Sequence, residues 1–270
     1  MISRQYCFVP AKVEIEEHHI GVYADKKDEH MVRAPHPKAL LHGSLVSPSL
    51  GAAVMNGKYV NAVPLYRLEK EFERYGLAIS RANMANWMIR LSEEYLSVFY
   101  DHLHRKIYDF DVIGADETPV EVNKDGRPAG SKSYIWVYRS GGISSTHHIV
   151  LYEYQKTRNA SHPVRFLKDY EGICVTDGYQ VYHSAEKTLV DALFAYAKQH
   201  QVPVGTQGKL ARAVTYLLNQ EKYLRVFLEN GEVPMDNNAS ERAIRGFCIG
   251  RKNWQLIDTI RGAENSAIIY

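Results

Sequence analysis

The hydrophobic pattern changes period twice along the chain. Residues 1–45 hold neither period for long. Tyr6 to Ile15 alternates enough for one strand, Val22-Tyr23 can end another, and a polar run from Asp25 to His30 precedes Pro35, Pro37 and Gly43. This stretch reads as an irregular remnant or linker. Residues 46–108 turn helical. Ser47-Pro48 offers a capping hydroxyl and then proline at the first helical position, predicting a short helix to about Asn56 that Gly57 stops. Leu65, Leu68 and Phe72 form a stripe that predicts a helix from Pro64 to about Tyr75, and Gly76 can take the left-handed conformation that ends it. Ser80 caps a predicted long helix to about Ile107, with Trp87, Leu91, Tyr95 and Val98 on its inner face. A helix, a glycine turn and a second capped helix have the outline of a helix-turn-helix, and an ordinary helical hairpin fits equally well. Arg81, Asn83, Asn86 and Arg90 on the second helix suit DNA or a solvated face equally.

From residue 109 onward strands come first. Phe110–Val122, Ser133–Arg139 and His147–Tyr154 are rich in β-branched and aromatic residues, and turn clusters at 125–128 and Gly141-Gly142 join them into an antiparallel meander. A short helix from Ser161 to Tyr170 precedes a fourth strand, Gly172–Asp177, which is expected to pair in parallel with the first. Helices follow at about 185–199 and 207–229, the second with apolar residues at 210, 214, 217, 224 and 228. A last helix starts near Asp236 or Asn237. The fold class is therefore α/β: a mixed sheet flanked by helices, preceded by a helical, helix-turn-helix-like region.

Composition narrows little. The 270 residues are 45% apolar and 24% charged with net charge +2, an ordinary globular balance that neither demands nor excludes a nucleic-acid partner. Cys7, Cys174 and Cys248 form no C-x-x-C pair, so no disulfide framework or cysteine zinc site is indicated and a reducing, cytoplasmic location fits. No apolar run approaches the roughly 18 residues of a membrane span, and no signal peptide opens the chain. His18-His19 and His102-x-His104 lack partners at ligand spacing and read as solvent-facing.

Three acids carry the chemistry: Asp116, Asp177 and Glu241. On alternating strands Asp116 shares a face with Val112, Val120 and Val122, and Asp177 with Ile173 and Val175, whereas Glu117 and Glu121 fall on the opposite face. An acid in an apolar row is costly unless it is paired or bound to a metal. Both aspartates could instead mark strand ends; Asp177-Gly178 fits that reading, and Pro119 favours it slightly for Asp116. Glu241 lies near a helix start, where the dipole favours acids and an i,i+4 pair with Arg245 is available. Around it stand Asn237, Asn238, Arg242, Arg245, Arg251, Lys252, Asn253 and Trp254. Guanidiniums and ammonium suit backbone phosphates, and an aromatic suits base stacking. Gathered carboxylates repel, and divalent magnesium (or manganese) resolves the conflict with oxygen ligands. Two such ions about 3.5–4 Å apart stabilise the attacking and leaving oxygens of an in-line displacement.

These residues resemble a known family, the DDE transposases of the insertion sequence 66 group. The matching stretches are Ser47-Pro-Ser-Leu, 58–67, 114–120, Thr176-Asp-Gly-Tyr-Gln-Val-Tyr182, Asp236-Asn-Asn-Ala-Ser-Glu-Arg-Ala-Ile-Arg245 and Gly250-Arg-Lys-Asn-Trp254, in the family's order. The resemblance implies a ribonuclease H-like catalytic domain at 109–270 with Asp116, Asp177 and Glu241 as the metal-binding triad. It also implies DNA strand cleavage and transfer at terminal inverted repeats, a homo-oligomer on DNA and a bacterial, nucleoid-associated location. A DNA-binding remnant without catalysis, or a two-metal nuclease, are the alternatives. The chain departs from the family in three places. The cysteine-rich region is largely missing, with Tyr23-Ala24-Asp25 where a cysteine knuckle is expected. Asp177 and Glu241 are only 64 positions apart, which leaves no room for the family's helical insertion. The family also continues past Ile269-Tyr270. A shortened copy is the expectation.

Overall fold

The computed structural model describes residues 4–5, 12–24, 30–35, 37–176, 187–200, 208–234 and 236–270, with backbone only at 187–189. They form two compact units, Met1–Leu91 and Ser92–Tyr270.

In the first unit, β1 (Val22–Ala24) and β2 (Met31–Arg33) pair antiparallel, with Val22 opposite Arg33. The expected strand over Tyr6–Ile15 falls partly outside the described residues, and its remainder, 12–15, is not a strand. Three helices follow: α1 (Pro48–Met55), α2 (Leu65–Arg74) and α3 (Arg81–Leu91). Ser47 Oγ accepts from the Leu50 N–H at 3.2 Å, as the cap pattern predicts. Gly57 does not stop the chain's helical path. A π turn at Asn56–Val60 carries it on, and Gly57 lies against Leu68, where a Cβ would collide with that side chain. Gly76 takes φ +82° and ends the α2 turn. Ser80 Oγ then accepts from the Asn83 N–H at 3.2 Å at the start of α3. Leu41, Val46 and Leu91 are the buried centre of this unit, with Leu50, Met55 and Trp87 around them.

The second unit is a mixed five-stranded sheet with helices on both faces, a ribonuclease H-like α/β fold. Its strands are β3 (Val112–Lys124), β4 (Lys132–Ser140), β5 (Val150–Gln155), β6 (Ile173–Thr176) and β7 (Leu256–Thr259). The meander β3–β4–β5 is antiparallel as expected, and β6 pairs in parallel with β3 from Val112↔Ile173 to Ala115↔Thr176. Strand β7 is an addition to the expected plan. It also runs parallel to β3, along the C-terminal part from Glu121 to Lys124.

Helices α4 (Ser97–Lys106) and α5 (Ser161–Phe166) lie on one side, where Ile107, Ile113, Ala115, Trp136, Tyr138, Leu151 and Phe166 form a buried cluster. Helices α10 (Asn238–Trp254) and α11 (Ile260–Ile269) cover the other, packing Ile244, Phe247, Ala263 and Ala267 against Val120, Val122, Ile135, Val137 and Tyr152. The long helix expected through Ile107 is interrupted by a π turn at Ser92–Leu96. The added residue rotates the following stripe by about one position. Tyr95 and Val98 consequently face outward, and Tyr100, Leu103 and Ile107 face the core. The helix expected over 207–229 is broken into α7 (Lys209–Asn219), α8 (Glu221–Leu224) and α9 (Val226–Glu229), following α6 (Lys187–Gln199).

Candidate functional site

The central strand β3 has β4 along one edge, while β6 and β7 share the ends of the other. Between them, residues 116–120 have no strand partner on that side among the described residues. Backbone groups along a strand point alternately to the two edges. Val112 O accepts from Gly141 N on the β4 side and Asp111 O from Ile173 N on the β6 side. Odd-numbered residues therefore address the open edge. Several of their groups are satisfied locally. Ala115 O accepts from Asn237 Nδ2 at 3.0 Å. The Glu117 N–H donates to Asp116 Oδ1 at 2.8 Å. Pro119 has no N–H to leave unpaired, and its carbonyl accepts from Arg251 Nη1, which also donates to Thr118 Oγ1.

This places the Asp116 carboxylate half-buried at the gap, on the face covered by α10, since its cross-strand partner Val137 belongs to the α10 core. Helix α10 lies directly over this segment. A Cβ at Gly114 would collide with Ser240 Oγ, and Tyr152 Oη donates to Ala243 O at 2.7 Å. Glu241 follows Ser240 on the helix, half-buried, with Asn237, Ser240 and Ile244 of the same region buried against the sheet. Its N–H continues the helix to Asn237 O, and its carboxylate has no hydrogen-bond or ion-pair partner among the described residues. The i,i+4 pair with Arg245 is not formed. Asp177 lies outside the described residues; β6 ends one position before it, at Thr176, alongside Ala115. Among the described residues no three of His, Cys, Asp and Glu gather as a metal site.

The polar residues around Glu241 divide into two groups. Asn237 is buried and committed to Ala115 O. Asn238 donates through Nδ2 to Asp236 at 2.5 Å, and Arg251 is fastened to β3. Trp254 folds back on its own helix, with its ring 6.3 Å from that of Tyr270, and the two crowd Gly250. Arg242, Arg245, Lys252 and Asn253 are exposed. Arg139 was not apparent from the sequence. It pairs with Gly114 across β3–β4, two residues along the α10 face from Val137. It is half-buried and has no hydrogen-bond or ion-pair partner among the described residues. Burial, and after it the neighbouring Arg242, lower its affinity for a proton. The signal was available: an arginine follows Ile135 and Val137 on one strand face, as Asp116 follows Val112 on its own.

The sequence profile described as the Transposase IS66 family matches residues 43–188 and 183–265. The chain belongs to this transposase family. The two matched stretches meet at 183–188, between Asp177 and Glu241, in the interval where the resemblance implies a helical insertion in other members. Among curated relatives, the uncharacterized protein y4qI of Sinorhizobium fredii is 25% identical over 93% of this chain and 60% of its own length. The uncharacterized protein y4jD of the same organism is 21% identical over 97% of this chain and 65% of its own length. The chain thus spans under two thirds of these transposase-family relatives.

The first unit carries the clearest charge bias. From His30 to Leu91 there are eight Lys and Arg against three glutamates, a net +5, while residues 1–29 carry four against six acids, leaving the unit at +3. All three glutamates lie on α2, so α3 has arginines and no acid. Its buried side is Met84, Met88 and Leu91; Asn83 and Asn86 stand exposed on the other side, and Arg81 is exposed at its first turn. A small apolar cavity of about 150 Å³ is lined by Ala213, Val214, Tyr216, Leu217 and Leu224, with no carboxylate, histidine or cysteine among them. No helix among the described residues is long and apolar enough to cross a membrane.

Proposed function

We propose that this chain is the catalytic region of a DNA transposase that cleaves and joins strands at the ends of an insertion sequence. The observation carrying this reading is the pairing of surfaces at the β3 gap. The half-buried Asp116 faces a helix whose half-buried Glu241 has no partner. Leaving a desolvated carboxylate uncompensated costs stability, and a cation removes that cost. The donors are all oxygen, which fits magnesium or manganese over softer metals. Asp116, Glu241 and Asp177 would hold the metal, which when bound supplies charge neutralisation and activation of the attacking hydroxyl.

The remaining roles belong to the chain's own residues. Arg242, Arg245 and Lys252, exposed along α10, contact backbone phosphates and orient the strand. Asn237 and Arg251 hold α10 in register with β3, so the two acids keep a fixed separation. Helix α3, acid-free and presenting Arg81, Asn83 and Asn86, contacts duplex DNA outside the reacting strand. Strand joining requires two element ends, which a homo-oligomer on DNA would bring together.

The test is incubation of labelled element-end DNA with the protein and magnesium or manganese, beside Asp116→Asn. Metal-dependent nicking and joining, lost in the variant, is the expected result. Binding without cleavage under any metal would reject catalysis in favour of a DNA-binding remnant. Cut but never joined products would identify a nuclease.

A further inference from the structure

We propose that Arg139 and Arg242 form a two-guanidinium clamp for one phosphodiester group at the mouth of the β3 gap, with Arg139 positioning the scissile phosphate beside Asp116. The inference rests on the transposase reading for the identity of its substrate and on geometry for the site itself.

Position is the first support. In the antiparallel ladder Arg139 pairs with Gly114 and Val137 with Asp116. Arg139 and Asp116 are therefore diagonal neighbours on one sheet face, about 7 Å apart, within reach of a long side chain. The face is the one α10 covers, and Ser240 sits directly on Gly114. Arg242 follows two positions later. Tyr152 of β5 bonds the Ala243 carbonyl, which sets this side of α10 over the β4–β5 half of the sheet. The clamp thus lies on the β4 flank of Gly114.

Energetics is the second support. A half-buried guanidinium normally takes a carboxylate or several carbonyls, because its five donors must replace water. Elsewhere in this unit arginines do so: Arg127 pairs with Asp125, Arg225 with Glu221 and Asp191, and Arg261 with Glu93. Arg139 takes nothing, although Asp116 is a neighbour, and the charge that acts on its proton affinity is another arginine, Arg242. Two like charges held together without an acid are destabilising unless an anion completes them. A phosphodiester fits: its two non-bridging oxygens accept in parallel from planar forks, and its charge offsets the pair. In the reaction, donors fixed here meet charge as it develops on the phosphorus oxygens, so their effect falls on rate more than on affinity.

The experiment has two arms, on the full chain. In the first, the thermal midpoint is followed against inorganic phosphate, with ionic strength held constant by chloride. The wild type should rise with phosphate, Arg139→Gln and Arg242→Gln should each lose most of the rise, and Arg105→Gln, exposed on α4 at the other side of the sheet, should keep it. In phosphate-free buffer Arg139→Gln should unfold no earlier than wild type, whereas a purely structural arginine would make it unfold earlier. In the second, single-turnover cleavage of end DNA is measured with DNA affinity in calcium. Arg139→Gln should slow cleavage by about 10²-fold with affinity changed less than about threefold, and Arg139→Lys should recover part of the rate. Phosphate stabilisation through both arginines, in a protein that cleaves nothing, would retain an anion site and reject the transposase reading. Cleavage by Arg139→Gln at the wild-type rate would overturn the clamp and leave that reading intact. A wild type indifferent to phosphate, with Arg139→Gln less stable, would also overturn it.

Discussion

Asn237 donates its side-chain amide to the carbonyl oxygen of Ala115 at 3.0 Å, joining the start of α10 to the strand position beside Asp116. The bond replaces a strand partner at the point where β6 ends. Asn237→Ala should lower unfolding free energy by about 1–3 kcal/mol, the cost of an unsatisfied buried carbonyl. Asn237→Asp should do no better, because a carboxylate cannot donate. Urea unfolding reads both, and an unchanged midpoint in either variant would contradict the assignment.

Gly114 is needed for close approach rather than for an unusual backbone angle. A Cβ there would strike Ser240 Oγ, yet would lie 3.7 Å from Ser240 Cβ, an ordinary contact. Gly114→Ala should therefore destabilise wild type by about 1 kcal/mol or more and cost much less in a Ser240→Ala background. A double-mutant cycle with no coupling would show that α10 does not seat as described.

Glu153 supplies a pH signature away from the candidate site. It lies half-buried on β5, hydrogen-bonded by Tyr138 and Gln155, with Arg165 3.7 Å away and largely exposed. Burial raises its pKa above the ordinary 4.5 despite these partners. A raised folded-state pKa contributes stability that is present below the unfolded value and lost as pH climbs through the folded one. Glu153→Gln should then be more stable than wild type at pH 7, with the difference closing toward pH 4. Equal unfolding midpoints at both pH values would contradict the shift.

Helix α3 offers a test that avoids the acids altogether. Arg81→Ala should weaken duplex DNA binding and reduce the salt slope of log affinity by about 1, as one lost phosphate contact does. Its fold should be unaffected, because the arginine side chain is exposed. An unaltered slope would place the DNA elsewhere.

Much of this plan was legible in the sequence because it rests on period-two and helical patterns. Asp116 stood out as an acid in an apolar row, and the structure places it on the α10 face for that reason. Pro119 pointed the wrong way. It suggested that the strand ended near Asp116, but β3 runs to Lys124 and the proline's missing donor faces the open edge. Tyr95 and Val98 were misread because a π turn shifts helical phase, and no local residue type announces such a turn. Strand β7 escaped notice because four residues following a helix gain their extended form only by pairing with β3, a contact spanning more than a hundred positions. Asn237 and Arg251 looked like DNA contacts because an amide and a guanidinium serve strand edges and phosphates with the same donors. Sequence cannot tell which acceptor is nearer.

The middle of β3, unpaired on one edge among the described residues, bears on how this chain avoids mispairing while folding. A bare strand edge flanked by two paired segments is a template for pairing with another chain. Here the stopper is a single helix, whose Asn237 and Arg251 occupy the exposed carbonyls, and that helix lies more than a hundred residues downstream of the strand. Until residues 237–251 have been synthesised and docked, the edge has no guard. Substitutions that loosen α10 are therefore expected to reduce soluble yield more than they reduce the stability of the protein that is recovered.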